Sequence, residues 1–240
     1  MTRSRSLWLL PAAALISTVF AAGPVLAEDP EELEIGFVPS VEAGALAEDI
    51  QPLADYLSEA LGMPVSGKVT SSYPALVTAL QIGQTHVAAL PPLGMVQAVD
   101  VAGAEIILQS VRFGSPTYHT QFFTNEPAKY CADEPVVNER REAGEMLPFL
   151  NCNGTDRSFD EARVGPIGLD ALQAVEQGTT VAFTRAGSSS GYIFPATVFA
   201  TEGIDPRTDL YAVFTDEHDR SVATVCSGEA EIGVSYDDAR

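Results

Sequence analysis

Leu33, Ile35 and Phe37 alternate with Glu34 and Gly36, which predicts a strand through Val38, ended by Pro39-Ser40. The period then changes. From Ala45 to Leu61, apolar residues recur at Leu46, Ile50, Leu53, Leu57 and Leu61, a spacing of three and four that predicts an amphipathic helix with those residues inward, stopped by Gly62. Val65 to Thr70 predicts a second strand. Ser71 or Ser72 then caps a helix with Pro74 in its first turn, Leu76, Val77 and Leu80 inward, and Gly83 at its end. His86 to Leu90 predicts a third strand closed by Pro91-Pro92, and Ile106 to Val111 and Thr117 to Thr124 predict two more.

Glu126 to Gly168 breaks this rhythm. It is charged, carries Pro127, Pro135, Pro148 and Pro166, and reads as an excursion outside the core. Regularity returns with a strand at Thr179 to Thr184 and a loop Arg185-Ala186-Gly187-Ser188-Ser189-Ser190-Gly191-Tyr192. A helix-like run from Ile193 to Thr201 follows, then a turn at Gly203-Ile204-Asp205-Pro206. Leu210 to Phe214 is a strand, His218-Asp219 opens a helix through Val222 and Val225 that Gly228 closes, and Glu231 to Ser235 is the last strand. Strands alternating with helices predict α/β architecture with mainly parallel sheets, here in two halves. Ligands of such sheets sit at the carboxyl ends of the strands. In the first half those ends carry Pro39-Ser40, Thr70 to Tyr73 and Leu90 to Leu93.

The N-terminus adds a compartment. Arg3 and Arg5 precede a mostly apolar stretch from Leu7 to Phe20, and Val25-Leu26-Ala27 offers small residues before polar Glu28-Asp29-Pro30. This is the pattern of a secretory signal peptide cut after Ala27. Pro11 interrupts the apolar run, which is short for the ~20 residues of a spanning helix. The expectation is a periplasmic chain with no membrane insertion of its mature part. The net charge is −20, or −22 once residues 1–27 and their two arginines are set aside, which argues against nucleic acid or an anionic membrane as partner. Any anionic ligand must therefore be held by local dipoles and hydrogen bonds. Of the three cysteines, Cys131 and Cys152 flank one polar segment and are paired by this reading, while Cys226 is expected buried on a helix. No His or Cys cluster has metal-ligand spacing, and no cofactor is implied. Asn153-Gly154-Thr155 matches a glycosylation sequon, a short pattern here treated as chance.

The densest chemistry lies at Ser188-Ser189-Ser190-Gly191-Tyr192, between a strand and a helix. The first amides of a helix lack intrahelical partners and carry partial positive charge, and consecutive hydroxyls add donors, which suits a tetrahedral oxyanion without a lysine. A serine-rich loop with an ordinary N-cap explains the same letters. A nucleophilic serine needs a base and an orienting acid; there is no Gly-x-Ser-x-Gly elbow, and in His218-Asp219 adjacent helical side chains diverge. His218, at a strand-to-helix turn, is a donor to an anion or a surface histidine; His86 and His119 read as structural. Tyr73 sits at another such turn, as donor or core residue. Asp237 and Asp238, after the last strand, bind a ligand amine, take a proton from the ligand, or are simply solvated.

Taken in order, Val38-Pro39-Ser40, Gln51-Pro52-Leu53-Ala54-Asp55-Tyr56-Leu57, Ser72-Tyr73-Pro74-Ala75-Leu76 and Leu80-Gln81-Ile82-Gly83-Gln84 form one recognisable set. It continues with Val181-Ala182-Phe183, Ser188 to Tyr192, Phe194-Pro195, Gly203-Ile204-Asp205-Pro206, His218-Asp219 and Ser235-Tyr236-Asp237-Asp238-Ala239. The set resembles the phosphate/phosphite/phosphonate ABC-transporter periplasmic substrate-binding proteins from about residue 34 to the end. That resemblance implies a two-lobed type II periplasmic-binding-protein fold, its mixed, mainly parallel sheets joined by a hinge, with residues 28–120 in one lobe and 121–240 in the other. It implies a monomer that is not an enzyme, closing over a small phosphorus oxyanion and delivering it to an ABC permease. Ser188, Ser189 and Ser190 would hold the oxyanion, Tyr73 would reach it from the other lobe, His218 would add a donor, and Asp237 would read the rest of the ligand. The chain departs from the pattern in three ways. Met95 stands where an aromatic often follows the prolines, the excursion at 126–168 is atypical, and a return segment to the first lobe is expected beyond Arg240, so that the sequence reads as truncated. A receptor for another small anion, of sulfonate or thiamine-precursor type, an enzyme on a similar fold and a sensor module are the competing expectations.

Overall fold

The computed structural model describes residues 30–41, 43–111, 116–142, 145–152, 168–237 and 239. The predicted signal peptide and the sequon lie outside these residues. Two parallel-stranded sheets organise the rest. The first contains β1 (Leu33–Phe37), β2 (Val65–Val69) and β3 (Val87–Ala89) in the order β2-β1-β3, all parallel. The second contains β7 (Thr179–Phe183), β8 (Leu210–Phe214) and β9 (Ile232–Tyr236) as a parallel set, with β4 (Thr120–Thr124) antiparallel beside β9, in the order β4-β9-β7-β8.

Each parallel step is bridged by a helix. α1 (Ala43–Leu61) joins β1 to β2, α2 (Tyr73–Gln81) joins β2 to β3, and α3 (Pro92–Ala102) follows β3. α1 buries Ile50 and Ala54, with Leu46 and Leu57 half-buried on the same stripe, whereas Leu53 and Leu61, expected inward, are exposed. The packing stripe runs at i, i+4, i+8 and i+11; Leu53 lies at its edge, and Leu61 is the last residue of the helix. A Cβ on Gly67 of β2 would stand 1.9 Å from Ile50 Cγ2, so glycine lets α1 sit down on the sheet. α2 starts where Ser72 accepts a hydrogen bond from the Ala75 amide at 3.2 Å.

In the second half, β7 buries both faces, as a central parallel strand must. Val181 and Phe183 join Tyr130, Leu172, Phe199, Leu210, Ile232 and Val234 on one side; Ala182 meets Val225 and Ala230 on the other. Phe183 stacks edge-on against Tyr192 and Phe199 at centroid distances of 5.3 and 6.3 Å. α5 (Phe194–Thr201) and α6 (His218–Cys226) are the connecting helices. Ser221 of α6 donates to the Ala182 and Val234 carbonyls and so pins that helix between β7 and β9.

Three further expectations give way. Ile106 to Val111 forms no strand; Leu108 is 83% exposed, and among the described residues the free edge of β3 has no strand beside it. An apolar, β-branched run becomes a strand only when a neighbour completes its ladder. Cys226 is exposed, because α6 buries His218, Ser221 and Val225, and Cys226 lies one residue round the helix from that stripe. The excursion is also not wholly outside the core. The short helix α4 (Pro127–Tyr130) places Tyr130 in the main cluster, and only then does the chain leave as a hairpin of β5 (Val136–Glu142) and β6 (Glu145–Asn151), its base closed by the predicted Cys131–Cys152 disulfide.

Candidate functional site

Beyond β7 the chain turns through Arg185 and Gly187 to Ser188, whose amide donates to the Arg185 carbonyl at 2.9 Å. Ser188 is the N-cap of a π-helical turn, Ser189–Ile193, that runs into α5; its hydroxyl accepts from the Gly191 amide at 3.1 Å. Tyr192 and Ile193 both donate to the Ser188 carbonyl. The amides of Ser189 and Ser190 therefore precede the first intrahelical bond, with the partial positive charge that position carries. Two braces fix the loop from below. The Thr184 amide donates to the Gly191 carbonyl at 3.0 Å, and the Thr120 hydroxyl donates to the Ser190 carbonyl.

The three serines are 2, 0 and 3% exposed in chain order. Residues from the first half of the chain cover them. Tyr73, the first residue of α2, is buried and hydrogen-bonds with the Ser188 side chain. Burial pushes its phenol above the ordinary value, more than the Ser188 hydrogen bond and the Arg185 charge pull it down, so it is a protonated donor at neutral pH. The Leu93 amide, in the first turn of α3, donates to the Ser189 hydroxyl at 3.2 Å. Ser40, after β1, accepts from the His218 amide at 3.2 Å. All three strand ends singled out in the first half of the sequence thus face the serine loop or the start of α6.

His218, the first residue of α6, is buried. Its Nε2 lies 3.4 Å from Ser188 Oγ, its Nδ1 2.7 Å from Ser235 Oγ, and its ring packs on Tyr236 at 4.8 Å. A serine–histidine contact invites comparison with a nucleophilic pair, but Ser235 occupies the Nδ1 position that a Ser-His-acid relay gives to a carboxylate. The Ser188 hydroxyl is also occupied as a helix cap.

Tyr73, the three serines and His218 come together; Asp237 does not join them through any contact seen here. Its carboxylate is engaged by His119, which donates its amide to Oδ1 at 2.6 Å and places Nδ1 2.9 Å from Oδ2. This extends the β4–β9 ladder by one pair past Thr120 and Tyr236. The sequence reading of His119 as structural fits this role. The sequence reading missed the Leu93 amide, Ser235, Thr120 and Arg185. The sequence marks Leu93 only by its place in the strand end Leu90 to Leu93, without a donor role. Two surface concavities of about 300 and 560 Å³ lie elsewhere, the larger beside Tyr192, Ile193 and Arg207, and neither is lined by the serines, Tyr73 or His218.

Parallel strands in two sheets, with helix starts from both halves meeting over one buried hydroxyl cluster, define the type II periplasmic-binding-protein class. The structure is similar to a binding-protein component of an ABC phosphonate transporter from Pseudomonas aeruginosa (TM-score 0.65, 18% identity, 88% of this chain and 59% of that one). It is also similar to PhnD1 from Prochlorococcus marinus in complex with methylphosphonate (TM-score 0.63, 18% identity, 86% of this chain and 64% of that one). The chain thus spans about three-fifths of the length of these solved structures. The profile of the ABC transporter, phosphonate, periplasmic substrate-binding protein family matches residues 35–240, and the chain belongs to that family. Among the described residues no helix is long and apolar enough to cross a membrane, and no group of His, Cys, Asp and Glu is arranged to hold a metal.

Proposed function

We propose that the protein is the extracytoplasmic solute-binding component of an ABC importer, taking a phosphonate-, phosphite- or phosphate-type oxyanion between lobes 28–120 and 121–240 and delivering it to the permease. One observation carries this reading: the buried serines at a helix start are in contact with groups from both halves of the chain, Tyr73 and the Leu93 amide on one side and His218 on the other.

The donors that meet at the serines include no lysine. Serine hydroxyls, the amides of Ser189 and Ser190, the Tyr73 phenol and an imidazole N–H can surround a tetrahedral anion on a strongly acidic protein, because preorganised dipoles act at short range. Solvent cannot reach the serines in this arrangement, so the lobes part to admit the anion. On closing, the ligand oxygens take over donors that now bond Ser188 and Ser189 across the cleft. Asp237, held by His119, marks the side of the site from which the organic substituent is read. The export signal of residues 1–27 and a monomeric state belong to the same reading, with no nucleic acid or metal cofactor as partner.

Isothermal titration of the purified protein with methylphosphonate, aminoethylphosphonate, phosphite, phosphate and sulfate tests it. One phosphorus oxyanion binds tightly and sulfate does not. The triple variant Ser188→Ala, Ser189→Ala, Ser190→Ala loses at least about tenfold to a hundredfold in affinity, since each hydrogen bond to a charge contributes roughly 1.5–3 kcal/mol. Unchanged affinity in a folded triple variant removes the serine loop from the site. Preferential binding of a sulfonate moves the protein to the neighbouring receptor class.

A further inference from the structure

Among the described residues, four buried side-chain polar atoms make no hydrogen bond, and two belong to consecutive residues at the carboxyl end of β7: Thr184 Oγ1 and Arg185 Nε. Buried donors are nearly always satisfied, and these two orphans lie at a strand end, where α/β sheets bind their ligands. Thr184 is tucked under Gly191 and fills the floor of the serine loop. Arg185 is the more informative of the two.

Lys129, Arg207 and Arg220 each hydrogen-bond a carboxylate, of Glu231, Asp205 and Glu217 respectively. Arg185 is not held in this way. Its Nη1 stands 3.8 Å from Asp216 Oδ1, beyond hydrogen-bond distance, and that carboxylate is 63% exposed while the arginine side chain is only 28% exposed. Its carbonyl anchors the Ser188 amide, and its charge is felt at the Tyr73 phenol, where it opposes the larger upward effect of burial. Arg185 therefore stands at the root of the loop that carries the serines, with a buried N–H unspent.

We propose that Arg185 is a further ligand-binding residue, its Nε–H donating to the seated oxyanion and its charge selecting a dianionic phosphonate or phosphate head over a monoanionic sulfonate. This rests on the function proposed above. The serines, amides and phenol recognise the tetrahedral shape, which phosphonate and sulfonate share. A fixed cation senses the second negative charge, which only the phosphorus acid acquires near neutral pH. The planar guanidinium is also the side chain best matched to the edge of such a head group. Asp216 loosely balances the cation until the anion arrives.

Calorimetric titration with methylphosphonate and methanesulfonate, from pH 5.5 to 8.5, tests the assignment on the wild type and on Arg185→Gln, Arg185→Lys and Asp216→Asn. Wild-type affinity for methylphosphonate rises as the ligand loses its second proton. Arg185→Gln binds it about tenfold to a hundredfold more weakly and loses that rise. Methanesulfonate binding by Arg185→Gln falls by much less, so selectivity shrinks. Arg185→Lys keeps the pH dependence with intermediate affinity, and Asp216→Asn binds at least as well as wild type. An Arg185→Gln variant with wild-type affinity and pH profile overturns the proposal, as does an Asp216→Asn variant that mimics Arg185→Gln, which would make the arginine a structural partner of Asp216. If the serine triple variant loses methylphosphonate while Arg185→Gln does not, only the arginine assignment falls. If the wild type binds no phosphorus oxyanion, the functional reading falls with it.

Discussion

Gly187 lies in the turn between β7 and the serine loop, against Tyr73 from the first half of the chain. A Cβ added there would stand 2.9 Å from Tyr73 Cβ and 3.2 Å from Cγ. Those atoms are fixed by the first turn of α2 and cannot swing aside as the tip of a long side chain would. Gly187 does not occupy the left-handed region, so alanine meets no backbone strain and the clash is the whole effect. Overpacking by one methyl group costs about 1–3 kcal/mol. That corresponds to roughly fivefold to 150-fold in an equilibrium constant. On the lobe division proposed above the two residues sit on different lobes, and the cost falls on the closed form alone. Gly187→Ala therefore weakens anion binding by that factor in a calorimetric titration. The thermal midpoint of the protein in anion-free buffer hardly moves, although the same energy lost from the fold would lower it by about 2–4 °C per kcal/mol. Unchanged affinity would show that Gly187 and Tyr73 do not meet in the ligand-bound form. A midpoint drop matching the affinity loss would show that this contact holds the resting fold together and is not part of closure.

Other outcomes follow from the same structure. Replacing both Cys131 and Cys152 by serine removes a link across 21 residues and costs about 3 kcal/mol of the constraint on that segment. Hydrogen exchange should accelerate across β5 and β6, while anion affinity stays as it was, because a two-stranded hairpin has little stability of its own. Burial raises the Glu231 carboxyl, but hydrogen bonds from Lys129 and Tyr130 outweigh it and hold the pKa below the usual carboxylate value. A depressed carboxylate contributes stability that is present above its unfolded pKa and lost as pH falls through the folded one. Glu231→Gln should thus flatten the acid limb of a denaturation profile below about pH 4.3, with an unaltered slope there refuting the role. In β9, a Cβ on Gly233 would come 2.3 Å from the Phe123 ring, so Gly233→Ala should lower the chemical denaturation midpoint by the equivalent of about 1–3 kcal/mol.

The local features were legible because their causes are local. Alternation at Leu33 to Phe37 places β1, Ser72 with Pro74 starts α2, and the serines between a strand and a helix mark the turn where an anion site belongs. The ordered motifs also carried the family and, with it, the two-sheet plan. Tertiary structure decided whatever depends on partners far along the chain. Ile106 to Val111 has the letters of a strand, yet no neighbour completes its ladder. Cys226 follows a buried valine and faces water, because α6 turns its stripe of His218, Ser221 and Val225 inward. Asp237 is engaged by His119, 118 positions earlier, and the Ser189 hydroxyl accepts from Leu93, 96 positions earlier. Arg185 looks like any loop arginine until burial shows its Nε without an acceptor. A sequence period fixes which face of an element is apolar. Which groups meet across that face depends on how sheets and helices pack in three dimensions, and the chemistry of the site depends on those meetings.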